Sequence, residues 1–282
     1  MKIAIMMLVH KNEKQIERLI SHLSKDFDVY VHIDKRTNIE INKRKNVFVY
    51  KTYKTYWGSY NQIMATLFLL KTAYEKHYDR YILISGQDLP LVKNSEINNF
   101  FEANNNEYID ISKTPRKDRH PKHTIERLTG YYINRKYDKT NQKYKILFRL
   151  RRKAFYIFGR LFPRKIKYEL YGGSNWTNYT HDCVKKILIY LENDNEYIKR
   201  YKWTDCADEI FFQTIIHQLK GINIVNDDLR YVDWESGPEK PRILREVDYE
   251  KIERTKALFG RKFDETIDNN IIEKIYIKVE EA

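Results

Sequence analysis

Through its first hundred residues the chain alternates short apolar runs with stretches of helical periodicity, and few architectures accept that order. Lys2–Val9, Val29–Ile33, Val47–Val49, Tyr81–Ser85 and Tyr108–Ile111 read as strands. Glu13–Ser24, Asn61–Lys76 and Ser95–Ala103 read as helices, with Ile63, Leu67, Leu70 and Ala73 along one stripe of the longest; apolar residues at that spacing share one helix face. Strands that alternate with helices predict an α/β fold, with a mostly parallel central sheet flanked by helices. Ligands on such sheets bind beyond the carboxyl ends of the strands. Here those ends carry His10, Asp34, Lys35 and the turn Ser85-Gly86-Gln87-Asp88. No Gly-x-Gly-x-x-Gly or Walker-type loop is present, which argues against dinucleotide and P-loop folds.

The 282 residues suit a single domain, 1–282, with a basic amphipathic segment at about 144–168. The run Ile3–Val9 is short and lacks a small-residue cleavage site, so it reads as a buried strand. No stretch approaches the ~20 apolar residues of a spanning helix, and the expected location is cytoplasmic, peripheral at the inner membrane face if the basic segment binds lipid. Two cysteines, Cys183 and Cys206, make neither a disulfide framework nor a zinc spacing. The formal charge of +13 attracts polyanions, namely nucleic acid, anionic lipid or phosphate-bearing substrates. Residues 113–145 read as a charged loop containing Arg116, Lys117, Arg119, Lys122 and His123. The segment Tyr144–Tyr168 interleaves aromatic and aliphatic residues with Lys and Arg and contains no acid. It fits either an interfacial membrane helix or an ordinary amphipathic helix with a solvated basic face.

Four constellations could carry chemistry. Ser85-Gly86-Gln87-Asp88 aims Asp88 across the strand ends, or is a plain turn. Gly172-Gly173-Ser174-Asn175-Trp176 could cradle phosphate or sugar, or serve as a turn. In Thr204-Asp205-Cys206-Ala207-Asp208-Glu209, Asp205 is placed to cap a helix beginning near Ala207. Glu209 then lies at the helix start, as surface decoration or as a general base. Pro241-Arg242 and Phe259-Gly260-Arg261-Lys262-Phe263 could together hold a diphosphate, or be separate surface cations.

In this order these pieces, with His32-Ile33-Asp34-Lys35-Arg36, Trp57-Gly58-Ser59 and Arg230-Tyr231-Val232-Asp233-Trp234, resemble the core-2/I-branching β-1,6-N-acetylglucosaminyltransferase family, glycosyltransferase family 14. That family includes the peptide O-xylosyltransferases. The resemblance implies a GT-A-type nucleotide-binding fold and inverting transfer from a UDP-sugar, with GlcNAc or xylose favoured. It implies Glu209 as catalytic base and Arg242 and Lys262 on the diphosphate. Asp34, Asp88, Gly173 and Ser174 would line the nucleotide-sugar site, and Trp234, Trp176 and Arg127 would meet the acceptor. Animal members carry an anchor, a stem and many cysteines. This chain resembles a bacterial-type member acting on a surface-polysaccharide or lipid-linked precursor.

Many GT-A enzymes hold a metal on an Asp-x-Asp motif after the central strand. Here that turn offers Asp88 alone, whereas a dedicated metal site needs more anionic oxygens. The expectation is therefore metal-independent transfer with no cofactor and no nucleic-acid partner. The competing readings are a metal-dependent GT-A enzyme of another family, a basic nucleic-acid-binding protein, and a membrane-surface scaffold.

Overall fold

The computed structural model of the protein describes residues 1–114, 126–132, 142–236 and 241–280. The first part runs β1 (Ile3–Val9), α1 (Glu13–Leu23), β2 (Asp28–Ile33), β3 (Val47–Tyr50), α2 (Tyr60–Tyr74), β4 (Arg80–Ser85), β5 (Asp88–Pro90), α3 (Asn94–Glu102) and β6 (Glu107–Ile109). There follow β7 (Ser112–Lys113), a helical turn α4 (126–129), α5 (Gln142–Leu161), β8 (Tyr171–Gly172), β9 (Thr177–Thr180), α6 (His181–Asn193) and α7 (Asn195–Arg200). The last part holds α8 (Asp208–Gln218), β10 (Ile224–Val225), β11 (Arg230–Val232), α9 (Tyr249–Glu253), β12 (Phe259–Arg261) and α10 (Asn269–Glu280).

The central sheet has the order β10-β6-β9-β4-β1-β2-β3. Its neighbours are parallel except at β9, which is antiparallel to both β4 and β6. The mostly parallel, helix-flanked sheet expected from the alternation is therefore present. Strand periodicity divides β1 between two cores. Ile3, Ile5, Met7 and Val9 face α1 and α10, while Ala4 and Met6 face α2, α6 and α8. β4 divides likewise, with Ile82 and Ile84 on one side and Tyr81 and Leu83 on the other. A one-residue slip would exchange the two faces, so the register is strongly specified.

A small second sheet, β11-β12-β5, grows from the turn after β4. Its antiparallel β5–β12 register sets Asp88 opposite Arg261. The chain from 261 to 264 is thereby carried to the mouth of the central strands.

The C-terminal residues fold into α10, whose Ile271, Ile272, Ile275, Tyr276 and Val279 are buried. Two expectations change. Asp205 does not cap α8: the N-cap is Ala207, because Cys206 takes a left-handed backbone (φ 47°) that turns the chain before the helix starts. Part of the 113–145 loop is helical, at α4 and at the start of α5. Arg116, Lys117, Arg119, Lys122 and His123 lie outside the described residues.

Candidate functional site

The carboxyl ends of β1 and β2 meet the segment after β12 in a strongly basic recess. Gln15 of α1 ties the parts together, donating to the Gly86 carbonyl at 2.9 Å and to the Phe263 carbonyl at 3.2 Å. The Phe263 N–H donates to the Gln87 carbonyl at 2.8 Å, and Leu244 N–H to the Lys262 carbonyl at 2.8 Å. Lys262 is thus held by its backbone while its ammonium pairs with no acid among the described residues. Burial lowers its pKa and the neighbouring Arg261 lowers it further, with Asp88 opposing and Lys11 adding to the fall. His10 is lowered first by burial and then by Lys11, against the pull of Asp34. Burial and the neighbouring cations both disfavour the charged forms of Lys262 and His10, and a bound anion would relieve that cost. Lys11 itself is paired with the buried Asp264 at 2.5 Å, which also accepts from Asn12 at 2.8 Å.

Asp34 ends β2, fully buried, with its carboxylate accepting from the Arg36 backbone at 3.0 Å and from Arg36 Nη2 at 2.5 Å. Burial raises its pKa, but the Arg36 contacts outweigh that and leave it below the usual aspartate value. The Arg36 guanidinium lies 3.9 Å over the Tyr56 ring.

Asp88, the carboxylate of the turn after β4, is fully buried. It accepts from the Ser85 backbone N–H and is ion-paired with Arg261 at 3.1 Å. Arg261 in turn covers the face of Trp176 at 4.0 Å. Trp176, expected at the acceptor, is buried beneath that guanidinium. Beside it the Gly-Gly-Ser turn is pressed into the fold. A Cβ on Gly173 would lie 1.9 Å from the Asp110 carbonyl oxygen, so only glycine fits. Ser174 N–H donates to Asp110 at 2.9 Å and its hydroxyl to Asp228 at 2.5 Å. These hydrogen bonds give Ser174 a structural task at the place where phosphate contact was expected.

Glu209 opens the first turn of α8. Both terminal nitrogens of Arg127 donate to its Oε2 at 3.2 Å, and Oε1 takes part in neither contact. Arg127 therefore meets Glu209, having been expected at the acceptor. The Gly173 N–H donates to the Glu209 carbonyl at 2.9 Å, joining the Gly-Gly-Ser turn to the same helix start. On the other side, Cys206 N–H donates to the Gly58 carbonyl at 2.9 Å. Gly58 has φ 66°, and that loop carries Trp57, which is 64% exposed.

Asp208, next to Glu209, is buried, and its Oδ1 lacks a hydrogen-bond partner among the described residues. Burial, with the adjacent Glu209 charge, pushes its pKa up to about 7. A folded-state pKa above the unfolded one means that the native chain binds the extra proton. The carboxyl therefore costs stability as pH rises from the ordinary aspartate range through about 7. Asp208→Asn should raise the melting temperature relative to wild type at about pH 8 and change it little at about pH 4. Thermal unfolding at both values checks this, and an equal effect at both would contradict the protonated state.

Arg242 is held between Asp233, at 3.0 Å, and Asp248. This double pairing sets it apart from Lys262, although the two were expected to act together. Trp234, on the segment after β11, is 52% exposed. The partners that sequence reasoning missed are Arg36, Arg261 and Arg127 in their pairing roles. Arg261 stands beside Lys262 in the chain, but nothing there reveals that it faces Asp88.

The model of the core-2/I-branching enzyme family matches residues 3–256. No curated relative matches the chain. Among solved structures, it is similar to the crystal structure of S. aureus TarS 1-349, with a TM-score of 0.39 and 12% identity. That alignment covers 100% of this chain and 66% of the TarS chain, so this chain spans just under two thirds of it. With the family match running from β1 to α9 and ending before β12, over most of its length, the chain belongs to the core-2/I-branching enzyme family, a family of glycosyltransferases.

Proposed function

We propose that the protein is an inverting, metal-independent glycosyltransferase that moves a sugar from a UDP-sugar to a hydroxyl of a glycan acceptor. GlcNAc or xylose is the favoured sugar, and a surface-polysaccharide or lipid-linked precursor the favoured acceptor. The observation that carries the metal-free reading is the Asp88–Arg261 pair. The carboxylate at the usual metal position already has a guanidinium partner at 3.1 Å, and Lys262, the next residue, adds a second cation to the recess.

Glu209 is the base of this reaction. Its Oε1 takes the proton of the attacking hydroxyl as that oxygen bonds to the anomeric carbon. The bond from the anomeric carbon to the β-phosphate oxygen breaks, its electron pair leaves with UDP, and Lys262 stabilises the developing charge. Arg242 contributes less, because its guanidinium would have to exchange Asp233 or Asp248 for phosphate. Trp234, more than half exposed, suits stacking on an acceptor sugar.

The test is donor hydrolysis and UDP release across a panel of UDP-sugars, with and without EDTA. Turnover of one donor that survives EDTA is the expected result. Turnover lost to EDTA and restored by a divalent ion would reassign the chemistry to a metal.

A further inference from the structure

We infer that α5 is a docking surface for an anionic lipid bilayer, lying in the plane of the interface. The helix has two opposite faces. Its inner face is fixed to the body, with the Phe155 ring stacked on Trp203 at 6.0 Å and Phe158 meeting Tyr131 at 5.2 Å. Gly159 closes against Gly130 so tightly that a Cβ there would lie 2.9 Å from the Gly130 Cα. The outer face carries Ile146, Leu150, Ile157 and Leu161, spaced so that at 3.6 residues per turn they form one stripe roughly opposite Phe155. Each is between 49% and 68% exposed, so four aliphatic side chains of one helix face water together. Arg149, Lys153 and Arg160, all exposed, flank the stripe on one side.

Charge and pattern decide the occupant. The helix contains no Asp or Glu, so every charged side chain that α5 sets beside the stripe is a cation. A second copy seated on it would bring Lys153 and Arg160 against their own kind. A bilayer surface with anionic headgroups accepts the aliphatic stripe between its acyl chains and the cations at its phosphates. Among the described residues no helix is long and apolar enough to cross a membrane, which fits a helix that lies flat.

The docked helix also reaches the site. Just beyond its end, Arg164 donates to the Gly130 carbonyl at 2.8 Å and to the Thr204 hydroxyl at 3.1 Å. Its backbone N–H donates to the Thr129 carbonyl at 2.8 Å. The short segment it grips carries Arg127, the partner of Glu209. Docking therefore sets the Glu209 end of the site beside the bilayer, where a lipid-linked acceptor would present its hydroxyl. This last step rests on the function proposed above; the docking itself does not.

The test is flotation of the full chain with vesicles of phosphatidylglycerol and phosphatidylcholine, compared with phosphatidylcholine alone. Binding to the anionic vesicles and little to the neutral ones is expected. Arg149→Gln, Lys153→Gln and Arg160→Gln together should weaken binding by about 100-fold. Ile146→Ser, Leu150→Ser, Ile157→Ser and Leu161→Ser together should weaken it at least as much while all charges remain. Thermal unfolding should be unchanged in both variants, because these side chains point away from the body. Equal binding of the variants and wild type would overturn the proposal. So would stripe-dependent dimerisation in sedimentation without vesicle binding, or binding to RNA or DNA that the serine variant retains while vesicles float free. Donor hydrolysis is read without vesicles and flotation without donor, so each reading can fail alone.

Discussion

Glu209→Gln is expected to lower sugar transfer by about 10²–10⁴-fold while UDP binds as in wild type. The amide keeps the size of the side chain and can still accept from Arg127, but it cannot take the proton of the acceptor hydroxyl. Two features give Glu209 this role. It stands at the start of a helix whose other residues from Asp208 to Ile216 are buried. Arg127 also binds only Oε2, at 3.2 Å, which holds the carboxylate in place and leaves the other oxygen for the substrate. Steady-state transfer assays paired with a UDP titration check the prediction. Retained turnover would remove Glu209 from the chemistry. Loss of UDP binding would show that the residue builds the nucleotide site instead.

Lys262→Ala is expected to weaken UDP binding by about 10- to 100-fold, since a hydrogen bond to a charged group contributes about 1.5–3 kcal/mol. Transfer should fall further than binding, because the departing diphosphate gains charge in the transition state. The recess is built before the nucleotide arrives, with Gln15, Gln87 and Leu244 fixing the backbone around Lys262. Asp264 anchors Lys11 beside it and is held down to about 2 because the Lys11, Thr266 and Asn12 contacts outweigh burial. Arg242→Ala should have the smaller effect on UDP affinity, its guanidinium being committed to Asp233 and Asp248. A larger loss in Arg242→Ala than in Lys262→Ala would reverse that order.

The sheet was legible because its strands are long and apolar enough to reveal themselves. Val29–Ile33 and Tyr81–Ser85 could hardly be anything else between two amphipathic helices. β9 was not legible, because Thr177-Asn178-Tyr179-Thr180 is short and polar. Paired with β4 and β6 in mid-sheet, it finds polar partners through Asn178, whose side chain donates to the Tyr108 and Asp228 carbonyls, and Thr180, whose hydroxyl donates to Glu107. The tail helix α10 hid its stripe among Lys and Glu, which lie on its solvent side. At the site, motif order drew attention to Asp34, Asp88, Glu209 and Lys262. Sequence could not show who neutralises whom. Arg261 meets Asp88 through an antiparallel register between residues far apart in the chain, and Arg127 reaches Glu209 across 82 positions. The family resemblance set Trp176 at the acceptor, but the guanidinium that covers its ring comes from another strand and was not visible in the sequence.

The central claim is that this recess binds the nucleotide diphosphate with side-chain cations in place of a metal. A calorimetric titration of the chain with UDP in EDTA tests it most directly. Binding that persists in EDTA, gains nothing from added magnesium or manganese, and falls in Lys262→Ala is the predicted result. Binding that appears only when the divalent ion is restored would contradict it.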